Sequence, residues 1–525
     1  MRIVKTGAIA LSVLFTVGAF TACGKKKVPD TPQTLEIWVS STGYGADWVD
    51  DIVDLFKQEE WVKEKYPELL TDITVNTTDD TFGFTTTVAG TNTYDLVINV
   101  GPGGQYYNSG AFEELSEVYE STIPGESLTL KQKMIPDMYK QYAYEQKNGS
   151  EQYYCVPWVN STMGIFYNEK VVKDALGADY VLPKTTEELE KMCAALKKKT
   201  TPILASKDTN YWVDMFLTWW AQYEGIDAYE RFWRGQIINE DGDLETHPSS
   251  MQQVGRLHSL QALDSILNYG KGYVYELRSI EEYKTIQNYF IKGRGALMCN
   301  GDWLANEMSS DAKDIRMMKT PVISYITERC TSVKTDAQLS AVVGYVDAEN
   351  SYEVAKANYL ATFGVELSSE DYKTISSARN MTYVLGGFGM HVPTASVAKE
   401  LSKDFIRFCA TDKAIASLMK TGKGYMSCYQ YTPSAEETAG FVNLSKDRLS
   451  YAKNTRFIPS YYKYRTYIYG GLIPLWSTVN AVDETFMNVS SDMRLSPSDV
   501  YGRDVAHYMD NSGREFYAMM NKARN

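Results

Sequence analysis

Histidine is scarce in this chain of 525 residues, with only His247, His258, His391 and His507 present. None stands at metal-ligand spacing from another, and no H-E-x-x-H occurs, so no metal site is expected. The nucleophile elbow G-x-S-x-G is also missing. Cysteine numbers seven. Apart from Cys23, the nearest pair, Cys409 and Cys428, is 19 residues apart, so no C-x-x-C redox or zinc pattern exists. Cys155, Cys193, Cys299, Cys330, Cys409 and Cys428 read as small buried hydrophobes. Glycine (36) and proline (16) are too few for a collagen or a low-complexity chain. Positive charge is in deficit, 53 Lys and Arg against 66 Asp and Glu, for a net charge of −13. Such a surface repels phosphate backbones, so nucleic acid is not expected as a partner. Gly101–Gly104 lacks the phosphate-cradling pattern, and Gly386-Gly387-Phe388-Gly389 lacks a dinucleotide pattern. Both read as tight turns or close backbone approach, and no cofactor is expected.

What is present is ordinary in bulk and unusual in its aromatics. Hydrophobic residues make up 44% and charged residues 23%, as in a soluble globular protein of two or three domains. Tyr (39) outnumbers Phe (18), and there are 10 Trp. Tyr and Trp join an apolar face to a polar tip, which suits partly wet sites, although most will be packing residues.

Residues 1–22 read as a secretory leader. Arg2 and Lys5 supply the basic start, and Gly7 to Phe20 is an uncharged, mostly apolar run. It is shorter than the ~20 residues a membrane-spanning helix needs. Phe20-Thr21-Ala22-Cys23-Gly24 resembles the bacterial lipobox, in which the Cys is lipidated and becomes the new N-terminus. An ordinary signal peptide cut near Ala22 is the alternative. Residues 23–33 are polar and aperiodic, a tether between lipid and folded body. This places the body on the extracellular face of the cell membrane, lipid-anchored through Cys23.

The body follows α/β grammar. Leu35–Val39 reads as a strand, Ser40–Gly45 as a loop, and Trp48, Val49, Ile52, Val53 and Phe56 as one helical stripe. Asp95–Val100 is a nearly continuous apolar strand of the kind covered on both faces. Ile165-Phe166-Tyr167 opens a second such unit. Thr185 and Glu188 fit a capping box ahead of Leu189, Met192, Cys193 and Leu196. An aromatic helix is expected around Trp212–Tyr223, a short strand at Ala296–Cys299, and an amphipathic helix marked by Val397, Leu401, Phe405 and Phe408.

Four blocks carry a family resemblance. They are Leu35–Val39 with its Ser/Gly loop, Tyr94-Asp95-Leu96-Val97 through Gly110–Leu115, Val156-Pro157-Trp158 through Tyr167-Asn168-Glu169 and Pro183–Leu189, and Phe290–Met298 through Gly301-Asp302-Trp303. In this order, behind a lipobox, they resemble extracellular solute-binding protein family 1, the maltose-binding-protein-type lipoproteins of ABC sugar importers. Residues 321–382 and the Tyr-rich tail from 458 fit the pattern poorly. The resemblance implies an α/β, two-lobe periplasmic-binding-protein-like fold (type II), with mixed sheets flanked by helices and a ligand cleft between the lobes. The expected division is an N-terminal lobe of 34–152 plus 383–412, a C-terminal lobe of 153–320 plus 413–525, and an insertion of uncertain placement at 321–382.

A sugar offers an apolar C–H face for a ring and hydroxyls for paired donors and acceptors. By resemblance, Trp303 is the first candidate platform, with a strand-capping core Trp as its alternative. Asp302 and Asn300 are its polar companions, unless they are turn or cap residues. Trp158 is the second platform, with Asn160 beside it. Tyr44 lies in the loop after the first strand, where packing on Trp48 is the other reading. Asn99 ends its strand within reach of the cleft, and Tyr425 and Trp476 come from the second half. Tyr461, Tyr462, Tyr464, Tyr467 and Tyr469 are either a wall or a strand face. The resulting expectation is a monomeric, non-catalytic protein that captures a carbohydrate, an oligosaccharide, by hinge closure and passes it to ABC permease subunits. A peptide or polyamine binder of the same fold and a surface glycan hydrolase are the alternatives.

Overall fold

A computed structural model places most of the chain. It describes residues 34–460 except 68–72, 79–81, 101–106, 108, 137, 146–149, 210, 309–311 and 385–386, and then residues 482, 486 and 496–524. The leader, Cys23, Trp476 and the five tyrosines between 461 and 469 lie outside the described residues.

The opening strand Leu35–Ser40 pairs in parallel with Ile73–Thr78 on one side and Leu96–Val100 on the other. Phe388–His391 then pairs antiparallel with Leu96–Val100, and Val156–Pro157 completes a five-stranded sheet. Helix Asp47–Gln58 buries Trp48, Val49, Ile52, Val53 and Phe56, the stripe read from the sequence. Its Phe56 ring meets Phe405 at 5.3 Å and Phe408 at 5.4 Å on helix Lys399–Cys409. Val397 does not share that stripe. It stands four residues before Leu401, a helical spacing, but the helix begins only two residues after it, and it is 55% exposed.

The second sheet centres on Met163–Asn168, which is buried along its whole length. Ile315–Met318 and Leu297–Gly301 flank it antiparallel, and Ile203–Leu204 joins the outer edge in parallel. Helices on both faces explain the unbroken apolar run. At the start of helix Thr186–Leu196 the Thr185 hydroxyl accepts the Glu188 N–H at 3.2 Å. The reciprocal arm differs from the expected box, since Glu188 accepts from the Lys184 N–H at 2.7 Å, one residue earlier. Helix Trp212–Glu224 is buried on nearly every side, so its aromatics are core.

Residues 321–382 contain helices Asp336–Asp347, Tyr352–Phe363 and Ser369–Arg379. They join the second sheet's side through Gln222, whose amide donates to the Ala378 carbonyl at 3.0 Å and accepts from the Ile323 N–H at 2.9 Å. Helix Asp412–Thr421 packs against Asp47–Gln58, where the Thr421 hydroxyl donates to Asp51 at 2.5 Å. The six described cysteines are all free and buried.

Together the two sheets and their helices make a two-lobe α/β architecture with mixed sheets and a cleft between the lobes. The crossing is short. Val156–Pro157 belongs to the first sheet, Val159–Asn160 pairs with Met426–Ser427, and Met163 already belongs to the second sheet. A bridge from Thr162 to Val384 lays a second connection alongside. Among the described residues no helix is long and apolar enough to cross a membrane. Gly387 sits where these connections touch, and a Cβ there would fall 1.8 Å from the Val159 carbonyl oxygen. Backbone cannot swing aside as a flexible side chain can, so Gly387→Ala should cost about 1–3 kcal/mol by overpacking. Chemical denaturation of the variant checks this, and an unchanged midpoint would contradict the close approach.

Candidate functional site

The second lobe delivers Asp302 and Trp303 directly from the end of strand Leu297–Gly301. Gly301 makes the turn possible, because a Cβ there would lie 2.0 Å from the Trp303 ring. The indole therefore folds back over the strand end and remains only 8% exposed. The first lobe answers with the loop after its opening strand. Gly43, at φ +72°, brings its backbone against Trp303, with its Cβ position 3.4 Å from the indole Cγ. That positive φ is a conformation side-chain-bearing residues rarely adopt.

Direct polar contacts join the lobes at this point. The Tyr44 hydroxyl donates to Asp302 Oδ1 at 2.9 Å. The Asn306 amide donates to the Gly43 carbonyl at 3.0 Å. The Tyr425 hydroxyl donates to the Tyr44 carbonyl. Around them the rings pack at angles: Tyr44 lies 6.1 Å from Trp303, 5.3 Å from Phe388 and 4.9 Å from Tyr425, and Tyr211 lies 5.6 Å from Trp303. Edge-to-face geometry of this kind suits aromatic quadrupoles and rigidifies the cluster.

Asp302 is nearly enclosed. Its Oδ2 accepts the Thr162 hydroxyl at 3.2 Å and stands 3.6 Å from Arg448 Nε, which itself donates to Thr162 Oγ1 at 2.6 Å. The Asp302 N–H donates to the Thr162 carbonyl at 3.0 Å. Burial pushes the Asp302 carboxyl up, against the pull of Arg448 and the Tyr44 and Thr162 hydrogen bonds. Burial also pulls the Arg448 guanidinium down, against the attraction of Asp302. Each charge is thus held by its partners rather than by water. Burial, followed by the charge of Asp302, raises the Tyr44 phenol well above its usual range, so it stays a proton donor.

The structure brings Tyr44, Asp302, Trp303 and Tyr425 together. It does not bring Trp158 to them as a free face. That indole is fully buried in the first lobe, 4.6 Å from Trp48 and 6.3 Å from Phe405, where it backs the wall. Asn300 is fully buried too, with its amide donating to Gln287 at 3.2 Å and accepting from the Gly301 N–H at 2.7 Å. Asn160 is buried on the crossing strand, and both its amide atoms are without a hydrogen-bond partner among the described residues. Asn99 does not end its strand but lies one residue short of its end, buried and opposite Gly389. Sequence reasoning missed Arg448, Thr162, Tyr211 and Asn306. Arg448 lies on helix Asn443–Ala452, a segment without any motif, so nothing local could have pointed to it.

Over residues 64–442 the chain matches the family model for the bacterial extracellular solute-binding protein. The chain belongs to that family. No curated protein matches this solute-binding protein in sequence. Solved structures do. A chitin oligosaccharide binding protein is 15% identical with a TM-score of 0.55, covering 93% of this chain and 99% of that one. The bacterial solute receptor AcbH, described as exclusive for β-D-galactopyranose, is 12% identical with a TM-score of 0.58, covering 91% and 98%. The GacH receptor of Streptomyces glaucescens, solved unliganded and with acarbose, is 13% identical with a TM-score of 0.54, covering 90% and 97%. At these identities the likeness shows the fold.

Tyr44→Phe keeps the ring and removes the hydrogen bond to Asp302. Losing a donor to a buried carboxylate should lower the unfolding free energy by about 1–2 kcal/mol. Denaturant titration at neutral pH measures it, and wild-type stability in the variant would mean that the contact between the lobes does not form in solution.

Proposed function

We propose that this solute-binding protein captures a carbohydrate between its lobes, closes over it by hinge motion, and delivers it to the permease subunits of an ABC importer. One observation carries the reading. An indole and two hydrogen-bonding side chains, Trp303 with Asp302 from one lobe and Tyr44 from the other, converge on the same enclosed point between the lobes. A pyranose needs that combination, since its C–H face stacks on a ring while its hydroxyls exchange hydrogen bonds at the rim. A sugar entering here takes over the hydrogen bond that Tyr44 now gives to Asp302, and the lobes close around it because it contacts both. The unpartnered Asn160 amide offers a further donor and acceptor on the crossing strand. The names of the similar structures, which bind chitin oligosaccharide, β-D-galactopyranose and acarbose, support the same class of solute.

A polyamine fits less well, because the Asp302 charge it would require is already matched by Arg448. In this reading the protein works as a monomer on the outer face of the cell membrane, held by lipid on Cys23 within the lipobox-like Phe20–Gly24. The membrane reading rests on the leader sequence alone, and the importer reading on the family.

Trp303→Ala should weaken binding of whichever oligosaccharide the wild type accepts by at least roughly tenfold and abolish most of the ligand-induced change in tryptophan fluorescence. Isothermal titration against malto-, cello-, xylo- and chito-oligosaccharides checks both. Full affinity in the variant removes Trp303 from the site, and release of shortened products would replace the binder with a hydrolase.

A further inference from the structure

Asp302 and Arg448 form a closed charge account at the point where the lobes meet. The two side chains are 9% and 4% exposed. Arg448 is aimed by its neighbours. The adjacent Asp447 grips Arg316 at 2.6 and 2.7 Å and accepts the Met317 N–H at 3.1 Å, which pins helix Asn443–Ala452 to strand Ile315–Met318. From that helix Arg448 reaches Thr162 and Asp302 together. Asp302 spends its other oxygen on Tyr44 of the opposite lobe. The remaining ionisable groups that face this spot are the Tyr44 and Tyr425 phenols, both proton donors here. Glu307, at the end of the short helix after Trp303, is held by Gln287 at 3.0 Å and has the charge of Lys284 beside it.

We propose that Arg448 determines the charge class of the solute: by cancelling the buried charge of Asp302 it makes the cleft select neutral sugars over amine- or carboxylate-bearing ones. The inference rests on the carbohydrate reading above and deepens it. A neutral hydroxyl can replace the Tyr44 hydroxyl on Asp302 without changing the net charge enclosed between the lobes. An ammonium or carboxylate brings an extra charge into a place shielded from water, where nothing compensates it. Removing one partner reverses the preference. Without Arg448 the lone Asp302 carboxylate favours an amine, and without the Asp302 charge the lone guanidinium favours a carboxylate.

The test uses the wild-type chain and three variants, Arg448→Met, Asp302→Asn and the double variant, with circular dichroism to confirm folding. The probes are malto-, cello-, xylo- and chito-oligosaccharides, then the amine-bearing and C6-carboxylate-bearing forms of whichever neutral sugar binds. The wild type should disfavour both charged forms by at least roughly tenfold. Arg448→Met should shift the amine-to-neutral affinity ratio upward by roughly tenfold to a hundredfold, and Asp302→Asn should do the same for the carboxylate form. The double variant should return to a neutral preference. Equal affinity of the wild type for charged and neutral forms overturns the proposal even where a single variant does not fold. Unchanged ratios in folded single variants overturn it as well. Failure of every neutral sugar to bind the wild type overturns the carbohydrate reading, and the proposal with it.

Discussion

A carboxylate enclosed between two lobes must be satisfied by protein groups, and Asp302 imposes that demand on the whole centre of this molecule. Little water reaches it, so its oxygens draw on Tyr44 from one lobe, Thr162 from the crossing strand and Arg448 from a distant helix. Each donor needs its own support. Tyr44 is fixed by the Gly43 turn and by Tyr425, and Arg448 by the Asp447–Arg316 grip. Burying one charge therefore requires a chain of contacts that joins the lobes.

The aromatic residues divide into a layer at the junction of the lobes and a backing layer behind it. Trp303, Tyr44 and Tyr211 meet at the junction of the lobes. Trp48, Trp158 and Phe388 lie behind Tyr44, with Trp48 and Phe388 5.6 Å apart and Phe388 5.3 Å from Tyr44. This second layer holds the first at fixed angles. Glycines make the close packing possible, since a side chain at Gly301 or Gly422 would enter the Trp303 or Tyr425 ring. The stiff aromatic centre lies on strand ends next to the short crossing between the two sheets.

Much of the fold was legible because it obeys simple periods. The strand at Leu35–Val39, the stripe from Trp48 to Phe56 and the covered run at Asp95–Val100 depend only on local patterning, and all three fold as read. Tyr44, Asp302 and Trp303 stand out in the sequence only through the family resemblance, and the fold brings the three into contact. Trp158 shows the limit. A tryptophan after Pro157 looks the same in sequence whether its ring faces a cleft or a core, and the neighbouring helix that covers it begins 111 residues earlier at Asp47. Val397 failed for a smaller reason, since a stripe read from spacing does not show where the helix starts.

Local sequence determined the α/β class, most strand and helix positions, and the short motifs that put an indole and a carboxylate at one strand end. Those properties follow from side-chain periodicity and turn chemistry, which act over a few residues. Only the tertiary structure decided that Tyr44 would meet Asp302, that Trp158 would back the wall, and that Arg448 would neutralise the buried charge. These depend on how two sheets and a remote helix come together, and no local pattern encodes the distance between residues so far apart in the chain.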